Sequence, residues 1–468
     1  MMSVHPSIPP PLDPGYLPAV LWNAAYRRRC VADLGAHPLA IAIERADGAV
    51  SRFDTCALPH TGANIPLNRK YVERLVKFLL WSRGGFRVHI GGDPAIAQMI
   101  ARIYGLLGER RFDNEFMGEK VYRKTFEVVA CDLGEVPEED ESAAPLGRNL
   151  DGCRIGFDLG GSARQCAAVI DGECVFSGEV PWDPCFQSDP RYHYQAINDT
   201  LKLAAAHLPR VDAIGGSAAG IYVDNEVRIA SLFRGVSFMD FSMRVRDLFH
   251  DLQDDWGPVP LQVMNDGEVT ALAGSMSLGE NAVLGISMGA SVGAGFVNAD
   301  GNLTTRLNEL AFAPVDYRDG APADEWSGDC GCSVQYFSQQ AIARLAPVAG
   351  FEMPEEMPIP EQAAEIQARM AAGDLRARRI FETIGVYFGY AIAHFAEFYD
   401  FRHLLVLGSV SSSAGGELLL AKAREVLRTD FPALAGQIHL RTADEKSRCH
   451  GQAVAAASLP SLRDWNPQ

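Results

Sequence analysis

Twice in this 468-residue chain a strand-like apolar run breaks into adjacent small residues and then resumes as a second strand. The first break is Asp158-Leu-Gly-Gly-Ser-Ala163, between runs at 154–158 and 167–170. The second is Ser287-Met-Gly-Ala-Ser-Val-Gly-Ala-Gly295, which follows a run at 282–287. Such turns let a backbone approach another group without Cβ clash, and their N–H groups are free to face an anion. Around them the periodicity predicts strands at 174–178, 213–217, 261–264 and 404–407, and helices at 194–207, 268–277, 381–399 and 416–427. Hairpins mixed with β-α-β units, occurring twice, point to a two-lobed α/β fold rather than one Rossmann sheet.

The chain is too long for a single core, so two or three domains are expected. Residues 135–147 are acidic, broken by prolines and without apolar periodicity, and read as a linker. Before them, strands at 39–44, 50–58, 86–90 and 126–131 and helices at 68–81 and 95–107 give a β-β-α-β-α-β order. That is an α/β module without the helix grouping of a winged helix-turn-helix. The expected division is a flexible proline-rich start (1–19), an α/β module (20–132), an acidic linker (133–152) and two lobes (153–270 and 271–468), the C-terminal helix returning to the first lobe.

Net charge is −17. Residues 1–150 hold 18 basic and 18 acidic side chains, so the remainder carries all of it. An acidic bulk argues against nucleic acid as a partner. The basic clusters Arg27-Arg28-Arg29 and Arg110-Arg111 read as solvated helix faces. No apolar run suits a membrane span, and the first 18 residues lack signal-peptide features, so a cytoplasmic protein is expected. Ten scattered cysteines read as reduced thiols.

Four segments carry candidate chemistry. At the first turn Asp158 would hold a hydrated Mg²⁺, and Gly160, Gly161 and Ser162 would lie against phosphate. The alternative is a tight hairpin with Asp158 as its cap. At the second turn Gly289, Ala290 and Gly293 would cradle further phosphates. A third turn, in Leu404-Leu-Val-Leu-Gly-Ser-Val-Ser-Ser-Ser-Ala-Gly-Gly416, would take a nucleotide base or ribose at Gly408 and Ser409. Between the first two, Val263-Met-Asn-Asp-Gly267 ends a strand and begins a helix. There Asp266 would accept the proton of an attacking hydroxyl, or merely cap the helix.

In this order the four segments resemble the ROK family of sugar kinases and sugar-responsive repressors, in the actin-hexokinase-Hsp70 ATPase superfamily. The resemblance covers about residues 153–468. It implies a two-lobed actin-like (RNase H-like) ATPase fold carrying an additional N-terminal α/β module. It also implies ATP and Mg²⁺ as cofactors, Asp266 as general base, and Asn265 and Glu309 as sugar contacts. Gly220, expected with them at the substrate site, matches the family's Pro-Gly, with Ala219 in place of the Pro.

The chain departs from the family elsewhere. Phe312 stands for the His that binds sugar and zinc. Glu325 and Ser327 stand for two cysteine ligands, leaving Cys332 in register, and Val334 replaces a second sugar-contacting Glu. Two cysteines, Cys330 and Cys332, fall short of a tetrahedral set, so no zinc is expected. Ala290 replaces a Thr, and Val410 replaces a glycine whose left-handed backbone a β-branched residue resists. The resulting expectation is an ATP-dependent sugar kinase with a small-molecule sugar substrate, homodimeric, binding neither membrane nor nucleic acid. The alternative is a non-catalytic sugar-binding sensor or scaffold.

Overall fold

A computed structural model describes residues 4–141, 146–354, 356–412, 414–442 and 448–462. It divides into two compact units. Unit 1 comprises 1–143, 286–294 and 306–442, and unit 2 comprises 144–285, 295–305 and 443–468.

Unit 1 opens with a segment of bends and turns that packs along its core. Tyr16 is buried against the rings of Tyr336 and Tyr387, the amide of Leu12 donates to Thr383 Oγ1, and Asp13 pairs with Arg318. The flexible start expected from the prolines is therefore not found over the described residues 4–18. Prolines here restrict a path that runs through turns at 10–13 and 13–16, and the aromatic anchor holds it.

A helix that the periodicity did not suggest follows, α1 (Ala19–Ala32). Its buried Trp22, Tyr26 and Cys30 recur every four residues, but three consecutive arginines obscure that stripe. Then come β1 (His37–Glu44), β2 (Val50–Ala57), α2 (Ile65–Arg83), β3 (Arg87–Gly91), α3 (Pro94–Ile103) and β4 (Glu127–Cys131). Each expected element of this region is present within a few residues of its predicted ends. The sheet order is β2-β1-β3-β4, with β3 and β4 parallel.

The predicted linker is docked as far as it is described. Val136 is buried, Asp140 bridges to Val50, and Glu141 pairs with Arg45 and Arg306. Residues 142–145 of it lie outside the described residues.

Unit 2 is built on a five-stranded sheet of β5 (Cys153–Leu159), β6 (Ala163–Ile170), β7 (Glu173–Pro181), β8 (Ala213–Ala218) and β11 (Leu261–Asn265), in the order β11-β8-β5-β6-β7. A short ribbon, β9 (Ile221–Val223) and β10 (Glu226–Ile229), lies between β8 and β11 in sequence. β5, β6 and β7 form antiparallel hairpins, while β5, β8 and β11 run parallel.

One face of this sheet packs Ile155, Phe157, Ile214 and Val263 against helices Pro190–Ala205 and Leu248–Trp256 through Ile197, Leu201 and Phe249. The other face receives the C-terminal helix Arg448–Ala457 at very short range. A Cβ on Gly156 would lie 1.7 Å from the carbonyl of Ala453, and one on Gly215 would lie 1.7 Å from that of Ala456. These two glycines set the helix directly on the sheet.

The last sheet orders β13 (Val292–Val297), β12 (Val283–Met288), β14 (His403–Leu407) and β15 (His439–Thr442). Along β12 and β13 the chain passes from one unit to the other.

Candidate active site

In unit 2 three parallel strands end side by side, where open α/β sheets place their ligands. β5 ends near Asp158 and β8 near Ser217, which are register partners. β11 ends at Asn265, opposite Ala218. The Ser217 hydroxyl donates to Asp158 Oδ1 at 2.5 Å. Gln452, carried in by the close-packed C-terminal helix, donates to Asp158 Oδ1 at 3.1 Å and lies 2.9 Å from Ser217 Oγ and 3.4 Å from the carbonyl of Asp266.

Asn265 rather than Asp266 is the N-cap of helix Asp266–Leu278. Its Oδ1 accepts from the amide of Gly267 at 2.8 Å, and its Nδ2 donates to the carbonyl of Gly220 at 2.7 Å. Gly220 takes a left-handed φ of 131°, and a Cβ there would meet the carbonyl of Ile229 at 2.4 Å. The structural alternative for Asp266 thus falls to its neighbour. Asp266 is instead the first helical residue, with one oxygen 2.9 Å from the Gly267 amide.

Neither carboxylate has a Lys or Arg beside it among the described residues. Burial pushes Asp158 up to about 6, opposed by the Ser217 hydroxyl and reinforced by the negative charge of Asp266. Burial also raises Asp266, opposed by the Gly267 amide and its own. Two neighbouring carboxyls in a desolvated setting without a counter-charge suit a divalent cation that keeps its own waters.

The glycine turns divide by what the fold demands of them. Gly160 donates to the carbonyl of Ala163, and its own carbonyl accepts from Trp182 Nε1 at 2.7 Å. A Cβ on Gly161 would meet nothing within 4 Å. In unit 1, a Cβ on Gly289 would meet only the carbonyl of Ser291 at 3.9 Å, and one on Gly293 only Ser287 Cβ at 3.7 Å. Packing does not require glycine at these three positions, which leaves bare backbone beside exposed Ser162 and Ala290. That openness fits phosphate.

Gly408 differs. Its φ is 94°, and a Cβ would lie 2.4 Å from the carbonyl of Met288, so the fold alone requires glycine there. Ser409 is held by Gln339 and Gln367. Val410 is buried, donates its amide to Met288, and is absent from the left-handed positions among the described residues. The backbone conflict expected of it does not arise.

Glu309 lies in unit 1, half-buried, at the start of the turn Leu310–Phe312. The amides of Leu307, Asn308 and Glu309 donate to the carbonyls of Arg83, Ser82 and Trp81 at 3.1, 3.0 and 2.9 Å. Those are carbonyls of the last turn of α2, which a helix leaves unpaired. Phe312, in the place of the family's His, packs at a tilt against Trp81 and Trp326 with ring centroids 4.5 and 5.1 Å away.

Around the zinc register, no group of three or more His, Cys, Asp or Glu side chains that could hold a metal ion is gathered among the described residues. Ser327 is tied to Asp324, and the Cys332 thiol faces Asp329 Oδ2 at 3.6 Å. Burial and the Asp329 charge push that thiol well above its usual range.

Three partners had no sequence signal strong enough to find them: Ser217, Gln452 and the α2 charges beside Asp329. Arg110 was expected on a solvated face but is drawn inward by Glu73 and Asp329.

Parallel strands with hairpins, glycine turns and a helix returning to the first sheet define an actin-type α/β ATPase fold. The chain is 28% identical over 284 residues to the glucokinase of Halalkalibacterium halodurans, spanning 57% of this chain and 82% of that one. The ROK hexokinase of Thermus thermophilus superposes with a TM-score of 0.51 at 22% identity, covering 65% of this chain and 97% of its own. A ROK family transcriptional regulator, a homolog of the E. coli MLC protein, also gives 0.51, at 21% identity over 65% and 78%. No protein-family model matches the chain. The chain resembles the ROK family, and its fold is the two-lobed ATPase fold of those proteins, with further sequence outside the likeness.

Proposed function

We propose that the chain is a sugar kinase that transfers the γ-phosphoryl group of Mg-ATP to a hydroxyl of a sugar or sugar derivative. The observation that carries this reading is the pair Asp158 and Asp266 at the ends of β5 and β11, the strands flanking β8, with Asn265 taking the cap so that Asp266 is left to act. Asp266 receives the hydroxyl proton as the oxygen attacks phosphorus. Its raised pKa brings it closer to the alcohol it must deprotonate, while burial withholds water.

When bound, Mg-ATP supplies the phosphoryl group and the positive charge that offsets it. Asp158 would hold the ion, oriented by Ser217 and Gln452. Gly160, Gly161, Ser162, Gly289 and Gly293 offer backbone to phosphate, and Gly408 and Ser409 would border the nucleoside. Glu309 contacts sugar hydroxyls, and Gly220 anchors Asn265. In this reading 153–270 and 271–468 are the working lobes and 20–132 is an addition to them.

A thermal-shift screen of sugars with and without Mg-ATP tests the proposal. A sugar that stabilises the protein further when the nucleotide is present supports it. Sugars that stabilise it with no nucleotide effect favour the non-catalytic sensor, which Phe312 and the buried Val334 at two sugar-contact positions also favour.

A further inference from the structure

Three charges of α2, Glu73, Arg74 and Lys77, are not on a solvated face. Lys77 is fully buried, its Nζ 2.8 Å from Asp113 Oδ1 and 3.1 Å from Asp329 Oδ2. Arg74 joins Glu73 at 2.7 Å and Asp329 at 3.2 Å, and donates to the carbonyl of Cys330. Arg110 bonds Glu73 and Asp329 from the other side. Three cations thus meet three carboxylates with no net charge left over. Burying ions is costly unless every one is paired, so a network this complete reflects a constraint on the fold rather than chance.

Its location says which constraint. Asp329, Cys330 and Cys332 belong to the loop whose zinc ligands this chain lacks, and Lys77 stands beside the same Asp329 oxygen that faces Cys332. The last turn of α2 holds Leu307, Asn308 and Glu309 by their amides. Between the two attachments lie Trp81, Phe312 and Trp326, with Trp81 Nε1 bonded to Asp113. One helix of the N-terminal segment therefore fixes both the loop at 329–332 and the loop that carries Glu309.

We propose that α2 is a built-in replacement for the zinc ion. The Lys77 ammonium, with Arg74 and Arg110, clamps Asp329 and so positions residues 307–312. This makes Lys77 a positioning residue for the sugar site, and it rests on Glu309 being the sugar contact.

The test uses the full-length chain carrying Lys77→Met and, as a conservative partner, Lys77→Arg. Amide exchange of residues 307–312 should rise at least about tenfold in Lys77→Met, while β5 and β8 of unit 2 keep their protection. Sugar KM should rise about tenfold with kcat within about twofold, and Lys77→Arg should recover most of both. Wild-type exchange at 307–312 in a folded Lys77→Met protein would overturn the proposal. So would an equal loss in the two variants, or a fall in kcat alone. Should Lys77→Met fail to fold, Arg110→Gln at the edge of the network takes the same readouts with the same expected and contrary results. If the wild type binds no sugar, the role of Glu309 fails, and the exchange measurement still decides whether the network places the loop.

Discussion

The strand ends around Asp158 and Asp266 and the loop around Phe312 and Cys332 have fared differently within one chain. In unit 2 the Asp158 and Asp266 carboxylates and the Asn265 cap are each held by a hydrogen bond. In unit 1 Phe312, Glu325 and Ser327 stand where the ROK family has zinc ligands, and the loop is packed by aromatic rings and a neutral ion network. On the proposed reading, the contrast is that a structural ion can be exchanged for side chains, because its work is to hold a loop. Charges that take part in a reaction have no such substitute.

Substitution should break this comparison unequally. Asp266→Asn keeps shape but cannot take a proton, so kcat should fall by roughly 10²–10⁴ with sugar affinity little changed. Steady-state kinetics beside calorimetry would show the split. Trp81→Ala should leave that chemistry intact and cost about 3–5 kcal/mol of stability in a denaturant titration, because it empties the space between Phe312 and Phe116.

The pH response sharpens the same point. Asp158 carries its proton up to about pH 6 in the folded protein and only to near 4 when unfolded. Between those values the folded state binds more protons. Ligand-free stability should therefore decline as pH rises from about 4 to 6, while Mg²⁺ affinity should be lost as pH falls through 6. Differential scanning calorimetry and a Mg²⁺ titration across that window would check both signs. The smallest effect belongs to metal removal. Chelation should leave Tm unchanged, with less than one zinc per chain by elemental analysis, and one tightly held zinc would undo the account of Asp329.

Much of the fold was legible because strand and helix periods are local. β1 to β4 and α2 follow directly from alternation and from Val72, Leu75, Val76 and Leu79. The candidate site was legible where one turn carries its own chemistry, as at Asp158 and at Asn265-Asp266. It was not legible where contact spans the chain. Gln452 reaches Asp158 across 294 residues from an alanine-rich helix, and no local pattern marks it. Lys77 and Arg74 were hidden for a different reason. Charged residues on a helix usually face water, and only the carboxylates of Asp113 and Asp329 reverse that expectation. The proline-rich start was misleading because composition reports flexibility and says nothing of an anchor such as Tyr16.

The most direct measurement is ADP formation by the wild-type protein with Mg-ATP, run against a panel of sugars and repeated with Asp266→Asn. The account predicts ADP production that depends on at least one sugar that also stabilises the protein, and its loss in the variant. No sugar-dependent ADP with any stabilising sugar, or equal production by the two proteins, would contradict it.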